Sequence, residues 1–177
     1  TLHGTDRYAA GYINDQPRPT GEIYTKAIYW KNEIPVFLTD GSNSAQATDI
    51  VVVEGDVYVC GFEYNASQIS IAKYWKNGIQ VELSHGDRRA EAHAIAVEKG
   101  DVYVCGFEFN GQKNIAKYWK NGNSISLSSN SGNAMDIAIE GDDVYAVGFE
   151  FATGSLYCTA TYWKNGTPFS LTDGTAS

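Results

Sequence analysis

Residues 101–108 read Asp-Val-Tyr-Val-Cys-Gly-Phe-Glu, residues 116–122 read Ala-Lys-Tyr-Trp-Lys-Asn-Gly, and these two segments decide the fold. Val and Tyr alternate in the first segment, which is typical of a β-strand with two different faces. Asn121 and Gly122 supply the positive φ angles that a tight type I′ hairpin turn requires. The segments therefore predict two antiparallel strands, a hairpin turn and a further strand.

The chain contains this pattern four times, and each copy has one tryptophan. Trp30, Trp75, Trp119 and Trp163 are 45, 44 and 44 residues apart, and a fixed spacing of this size is typical of repeat architectures. A short apolar run, such as residues 50–53, precedes the later copies and predicts one more strand, packed on both faces. Four short strands in each period are what one blade of a β-propeller requires.

We therefore predict an all-β fold: a β-propeller of four four-stranded antiparallel blades in a single domain, residues 1–177, with essentially no α-helix. The four strands of a blade are termed a, b, c and d from the axis outwards. The predicted blades cover approximately residues 1–39, 49–84, 94–128 and 136–172. The first copy starts near the end of its strand a, so we expect residues 1–4 to supply only a stub of that strand.

Three forms of ring closure agree with this pattern. Four blades close within one chain, which predicts a monomer, or two chains together form an eight-bladed ring, which predicts a homodimer. The third alternative is that the chain is a fragment of a longer array of blades.

The repeat resembles the Asp-Val-Tyr-Val-Gly and Tyr-Trp-Lys-Asn-Gly tandem repeats of secreted or surface-bound bacterial proteins. In repeat length and strand order it also resembles WD40, kelch and tachylectin-like blades. It lacks the Gly-His and Trp-Asp pairs of WD40 and the double glycine of kelch. The resemblance covers the whole chain and implies a propeller fold and an extracellular or cell-surface location, not a particular activity.

The composition disfavours several kinds of partner. Lys and Arg number 13 against 21 Asp and Glu, and the net charge of −8 would repel nucleic acid. No apolar stretch approaches the ~20 residues that span a bilayer, so we expect no membrane span. No phosphate-binding glycine loop, metal-ligand motif or nucleophilic relay is present, so we predict no cofactor, no metal and no catalytic residue.

The cysteines and tryptophans are predicted to be structural. Cys60 and Cys105 occupy equivalent positions in successive copies, too far apart for a disulfide, and with Cys158 we expect three free, mostly buried thiols. The four tryptophans lie on strand c in the middle of each blade, and we expect them to pack between blades. Each buried indole N–H then needs a partner such as a backbone carbonyl.

Candidate ligand-binding residues lie in the connectors between strands d and a and in the loops between strands b and c, which share one rim. Variable loops on a rigid scaffold commonly carry recognition. The cluster richest in polar groups is His85, Asp87, Arg88, Arg89 and His93, and the loop ends add Glu63, Asn65, Glu108, Asn110 and Glu150. We expect the glutamates to order the loops beside Asn65 and Asn110 and not to contact Lys76, Lys120 and Lys164, which lie at the other end of the hairpin.

The favoured function is a non-catalytic recognition module that binds a glycan or a protein through these rim loops. The alternative is a structural or self-assembling repeat domain. A polysaccharide hydrolase or lyase is less favoured, because the three histidines lie in no recognisable catalytic motif.

Overall fold

A computed structural model of the chain describes residues 6–15, 21, 23–151 and 157–172. Within these ranges the chain forms fifteen β-strands and no helix. The strands make four antiparallel sheets, each built from strands consecutive in sequence. This all-β set of four blade-like sheets confirms the predicted fold class.

The first sheet has three described strands and each of the others has four. Sheet 1 contains β1 (Tyr8–Asn14), β2 (Thr25–Lys31) and β3 (Ile34–Phe37). Sheet 2 contains β4 (Ala45–Val53), β5 (Asp56–Tyr64), β6 (Ser70–Lys76) and β7 (Ile79–Glu82). Sheet 3 contains β8 (Ala90–Glu98), β9 (Asp101–Phe109), β10 (Asn114–Lys120) and β11 (Asn123–Ser126). Sheet 4 contains β12 (Ser131–Glu140), β13 (Asp143–Phe151), β14 (Cys158–Lys164) and β15 (Thr167–Ser170).

The expected stub of an inner strand at residues 1–4 lies outside the described residues. In sheets 2 to 4 the strand order is a, b, c, d, and sheet 1 shows b, c and d. The tight turns follow the prediction, since Asn77 and Gly78 have φ angles of 50° and 82°. In sheet 1 the same turn uses Asn32 and Glu33, and Glu33 adopts a φ of 70° that a side chain disfavours.

The inner strands start earlier than the sequence predicts. β4 begins at Ala45 and β8 at Ala90, so the second half of each supposed connector is a strand. A β-bulge between Ala47 and Asp49 shifts the register against β5. Gly61 of β5 lies beneath this segment, and a Cβ atom there would come within 2.0 Å of the Gln46 carbonyl oxygen. The glycine of strand b is therefore required by the close approach of the inner strand.

The residues of the apolar run 50–53 pack on both sides, as predicted, but their burial is partial. Ile50 contacts the core between sheets 1 and 2, and Val51 and Val53 contact the core between sheets 2 and 3. Val52 remains 36% exposed.

Each sheet has two different apolar faces. In sheet 3, Trp119 pairs with Val104 on one face, and Tyr118 pairs with Cys105 on the other. We call these the Trp face and the Tyr face, and the equivalent residues define the same faces in the other sheets. Alternation along the strands separates the two sets because neighbouring side chains point to opposite sides.

Three apolar cores join the four sheets, and each is built by the Trp face of one sheet on the Tyr face of the sheet before it. Trp75 packs with Tyr29 of sheet 1, Trp119 with Tyr58 of sheet 2, and Trp163 with Tyr118 of sheet 3. These three indoles are fully buried, which agrees with the packing role predicted for them. Among the described residues no core cluster joins sheet 4 to sheet 1.

The buried indole N–H groups do not find the partner that the sequence analysis expected. Nε1 of Trp75, of Trp119 and of Trp163 has no hydrogen-bond partner among the described residues. The side chains clustered around each ring are hydrophobic. An unpaired buried donor costs about 1–3 kcal/mol, which the burial of the large ring offsets.

A polar cluster closes the turn end of every b–c strand pair. In sheet 3, Asn121 Nδ2 donates to Asp101 Oδ1 over 2.8 Å, and Asn121 Oδ1 accepts from the backbone N–H of Val102 over 2.9 Å. Lys120 Nζ lies 2.7 Å from Asp101 Oδ2 and 5.0 Å from the centre of the Tyr103 ring. We call this group the hairpin-end cluster, and the same residue types form it in the other sheets: Asp6, Tyr8, Lys31 and Asn32; Asp56, Tyr58, Lys76 and Asn77; and Asp143, Tyr145, Lys164 and Asn165.

The three thiols are free, but only two are buried. Cys60 and Cys105 lie inside sheet junctions, and burial raises the pKa of Cys105 to about 12. Cys158 is exposed, which corrects the expectation of mostly buried thiols for this residue. Cys158 begins strand c of sheet 4, a different position from the other two.

Trp119→Ala should lower the free energy of unfolding by about 3–5 kcal/mol, because it empties a fully buried aromatic site. Trp30→Ala is the matched control, since Trp30 occupies the same strand position but is only partly buried. Its cost should stay below about 2 kcal/mol. Urea unfolding in dilute solution measures both, and equal costs would contradict the three-core arrangement.

The hairpin-end clusters predict a loss of stability in acid. Hydrogen bonds from Lys120 and Asn121 lower the pKa of Asp101 below its ordinary value of 3.8, and Asp56 and Asp143 are lowered in the same way. The stabilisation is therefore present above about pH 4 and is lost as the pH falls through the lowered pKa. The stability difference between wild type and Asp101→Asn should be largest near pH 7 and should shrink in acid, as guanidinium unfolding at several pH values would measure. A difference that is independent of pH would contradict the assignment.

Candidate functional site

Five of the predicted ligand-binding residues line one cleft between sheets 2 and 3. The cleft has a volume of about 590 Å³, within the usual range for ligand sites. The connector between β7 and β8 forms one wall, and β9, β10 and β11 form the other. Its lining consists of His85, Asp87, Arg88, Glu108, Phe109, Asn110, Ile115, Lys117, Ser126, Ser128 and Ser129.

A second cavity of about 410 Å³ adjoins the cleft and shares His85 and Glu108 with it. It runs between the outer strands of the two sheets, with Glu82 and Ser84 on one side and Ser124 on the other. We call the two cavities together the outer cleft. Its lining offers hydroxyl, carboxylate, imidazole and ammonium groups over a continuous path.

The most deeply placed charges in the outer cleft are an ion pair that the sequence analysis missed. Lys117 and Glu108 lie on the Trp face of sheet 3, and the Lys117 ammonium group contacts the Glu108 carboxylate. Both side chains are largely buried. Lys117 lies two residues before Trp119, so strand alternation alone places its side chain on the Trp face.

The equivalent lysine of sheet 2 shows what is special about Lys117. Lys73 Nζ donates to Glu63 Oε2 over 2.6 Å and to Gln80 Oε1 over 3.2 Å, and it lies 3.6 Å from Glu82 Oε1. All three ammonium hydrogens therefore have an acceptor nearby.

In sheet 3 the positions of Gln80 and Glu82 are occupied by Ser124 and Ser126, as the pairing of β10 with β11 shows. Neither serine hydrogen-bonds to the lysine, and among the described residues Glu108 is the one acceptor of Lys117. The outer cleft therefore contains a buried ammonium group with hydrogen-bond capacity left for a ligand.

Sheets 1 and 4 have different side chains at the positions equivalent to Glu108 and Lys117. In sheet 4, Glu150 corresponds to Glu108, but Thr161 replaces the lysine, and burial without a cationic partner raises the pKa of Glu150 above 4.5. In sheet 1 the positions hold Ile13 and Ile28, an apolar pair. The four sheets thus share one fold but differ in the side chains at the positions equivalent to Glu108 and Lys117.

Loop contacts hold the walls of the cleft in place. The Arg88 guanidinium donates to the Asn110 carbonyl oxygen and so joins the two walls. Asn65 Nδ2 donates to the Gly86 carbonyl oxygen over 2.9 Å, which fixes the connector that carries His85 and Asp87. The cleft is therefore formed by ordered contacts and not by loose loops.

The loops between strands b and c are ordered by asparagine and not by glutamate, which corrects the role expected for Glu63 and Glu108. Asn65 Oδ1 accepts from the N–H of Ser67 over 2.9 Å. Asn110 Oδ1 accepts from the N–H of Gln112 over 2.9 Å. Each asparagine closes an Asx turn, and this leaves the glutamates to pair with lysine.

The remaining predicted residues lie apart from the cleft lining. Arg89 donates to Asn114 Oδ1 over 2.9 Å and stacks over Phe107 and Phe109. His93 lies in β8 and not in a connector, and its Nδ1 is 2.9 Å from the Ala134 carbonyl oxygen between sheets 3 and 4. Glu63, Asn65 and Glu150 lie at equivalent positions of sheets 2 and 4.

The described part of the chain contains no group of three His, Cys, Asp or Glu residues that could hold a metal ion. The same residues include no helix with the length and apolar character needed to cross a membrane.

Comparison with protein-family models and with curated proteins gave no match.

Thr161→Lys should lower the pKa of Glu150, because it restores the lysine that accompanies the equivalent glutamate in sheets 2 and 3. The carboxyl ¹³C shift followed through a pH titration measures this value. Thr167→Lys adds the same charge at an exposed position of β15 and should leave the pKa of Glu150 raised. A Glu150 pKa that stays above 4.5 in the Thr161 variant would contradict the structural equivalence of the three sheets.

Proposed function

We propose that this protein is a non-catalytic recognition module that binds a carbohydrate in the outer cleft between sheets 2 and 3. The observation that carries the proposal is the Lys117 ammonium group, which is largely buried, has one recorded partner and faces an open polar cleft. A buried donor gains most from a ligand oxygen, because an unsatisfied one is costly.

The lining suits a ligand rich in hydroxyl groups. Ser126 and Ser128 can donate and accept, Glu108 accepts, and His85 can do either according to its tautomer. Ile115 adds a small apolar area beside these groups, whereas the Phe109 ring is covered by Arg89. In the larger cavity Asp87 and Glu108 balance Arg88 and Lys117, and Glu82 of the second cavity lies 3.6 Å from Lys73, so a neutral ligand is favoured over a strongly charged one.

The same contacts support binding over catalysis. The cleft's most buried carboxylate, Glu108, is held by Lys117, whereas glycoside hydrolysis uses two carboxylates on opposite sides of the bond that breaks. Asp87 lies on the exposed connector, and Glu82 is half-exposed and lies 3.6 Å from Lys73. A carbohydrate ligand also agrees with the extracellular or cell-surface location that the repeat resemblance implies.

The three junctions between sheets are not equivalent binding sites. Lys73 is saturated by its own sheet, and sheet 4 has no lysine at this position. We therefore propose one principal site, at the junction of sheets 2 and 3, and not a similar site at every junction.

A glycan array followed by calorimetry on the hits tests the proposal. Replacing Ser124 by Gln and Ser126 by Glu copies the Gln80 and Glu82 of sheet 2 and should fill the cleft and saturate Lys117. We expect this double variant to bind at least about tenfold more weakly with an unchanged melting temperature, since both positions are exposed.

Ser170→Glu is the matched control, because Ser170 is the exposed equivalent of Ser126 in sheet 4. It should bind like the wild type. A glycan that binds the double variant as tightly as the wild type would place the site elsewhere. The absence of any glycan ligand at millimolar concentration would count against the function, and binding of a protein in the same cleft would replace the ligand class.

A further inference from the structure

The three junctions inside the chain use one repeated contact, a Trp face packed on a Tyr face. The chain has one more face of each kind, enough for a fourth contact. Each junction places the tryptophan of one sheet against the Tyr face of the sheet before it. Four sheets have four Trp faces and four Tyr faces, and three of each are used. One Trp face in sheet 1 and one Tyr face in sheet 4 are left without a neighbouring sheet among the described residues.

Part of the unmatched Trp face of sheet 1 is accessible, although Ile28 near its middle is only 1% exposed. Trp30 is partly exposed, whereas its three equivalents are fully buried. Beside it lies a cavity of about 430 Å³ lined by Arg7, Tyr8, Ala9, Trp30 and Glu33.

At three positions the Trp face of sheet 1 is apolar where sheet 2 is polar, while Lys26, which pairs with Asp15, adds one charge to this face. Ile13, Ile28 and Phe37 occupy the positions that in sheet 2 belong to Glu63, Lys73 and Glu82. Phe37 is 54% exposed, which is a large apolar exposure for a strand of a folded sheet.

The unmatched Tyr face of sheet 4 exposes residues that are buried elsewhere. Leu171 is 63% exposed, whereas the equivalent Leu83 and Leu127 are 7% and 4% exposed in their junctions. Val147 is 43% exposed at the position where sheets 2 and 3 bury Cys60 and Cys105 completely.

An aromatic pair extends the exposed apolar area of sheet 4. Phe169 stacks on Tyr162 with ring centres 4.8 Å apart. Phe169 itself is 42% exposed.

We propose that the Tyr face of sheet 4 binds the Trp face of sheet 1 of a second copy of this chain. The internal junctions identify the occupant, because the same face of sheets 1, 2 and 3 is covered by a Trp face of this repeat. The two unmatched faces belong to opposite ends of the row of sheets. The contact is therefore head-to-tail, between a Trp face and a Tyr face, and not between two identical faces. Two chains joined by two such contacts form a closed ring of eight blades.

The native mass of the 177-residue chain across a wide concentration range tests the proposal directly. We expect a concentration-dependent dimer of twice 19.3 kDa. Ala9→Glu puts a charge on the Trp face of sheet 1 at an exposed position, and Leu171→Glu does so on the Tyr face of sheet 4. Each variant alone should weaken the dimer at least about thirtyfold, because a charge then lies in an apolar contact.

Ile79→Glu is the control, since Ile79 is 73% exposed on β7 of sheet 2, an inner sheet that takes no part in the proposed contact. It should leave the dimer unchanged. Circular dichroism and the melting temperature establish that all three variants fold.

Mixing the two variants tests the head-to-tail direction. The Ala9 variant retains its Tyr face and the Leu171 variant retains its Trp face, so an equimolar mixture keeps one intact contact and should associate more strongly than either variant alone. A dimer that is lost with Leu171→Glu and kept with Ala9→Glu would mean that like faces pair, and this would overturn the proposal.

Cys158 gives a readout that needs no variant. It is the exposed thiol, it begins a strand of sheet 4, and its equivalent in sheet 2, Ser70, lies 3.4 Å from Glu91 of the following sheet. Its reaction with a maleimide should slow as the protein concentration rises, while Cys60 and Cys105 stay unreactive. A monomer at every concentration, with a Cys158 rate that does not change, would overturn the proposal.

Discussion

The burial of one tryptophan per sheet is the interaction on which the structure depends. A sheet of this chain is apolar on both faces, so no sheet buries its own side chains, and Trp75, Trp119 and Trp163 reach full burial only through the sheet before them. Stability is therefore shared between neighbours along the row, as in other repeat proteins. The same constraint explains why sheets 1 and 4 differ from the inner ones: within the described parts of the chain each packs on one other sheet.

Much of the fold could be predicted because its signals are local. Strand alternation, the Asn-Gly turns and the tryptophan spacing each involve residues close in sequence. The start of each inner strand was missed for a physical reason. Ala45 and Ala47 are buried by close packing of backbones and give little hydrophobic signal, and the bulge before Asp49 then interrupts the alternation.

The candidate site was only partly accessible from the sequence. The connector residues His85, Asp87 and Arg88 could be placed near the b–c loop because both lie on one rim. The role of Lys117 could not be predicted, because it depends on which side chains lie opposite in the next strand. Gln80 and Glu82 give Lys73 two further acceptors. Ser124 and Ser126 hold the same positions next to Lys117, and this lysine lines the outer cleft instead. A difference of a few side-chain atoms thus separates a structural ion pair from a candidate binding group.

The hairpin-end clusters have a consequence for how the chain folds. The hydrogen bond from Asn121 to Asp101 joins residues only 20 positions apart, and the same contact recurs in every sheet. Folding rates fall as the mean sequence separation of contacts rises, and these contacts keep that separation short for an all-β protein. Each b–c hairpin is thus its own starting point for folding. In chain order, each tryptophan after the first therefore packs on a sheet whose strands precede it in sequence.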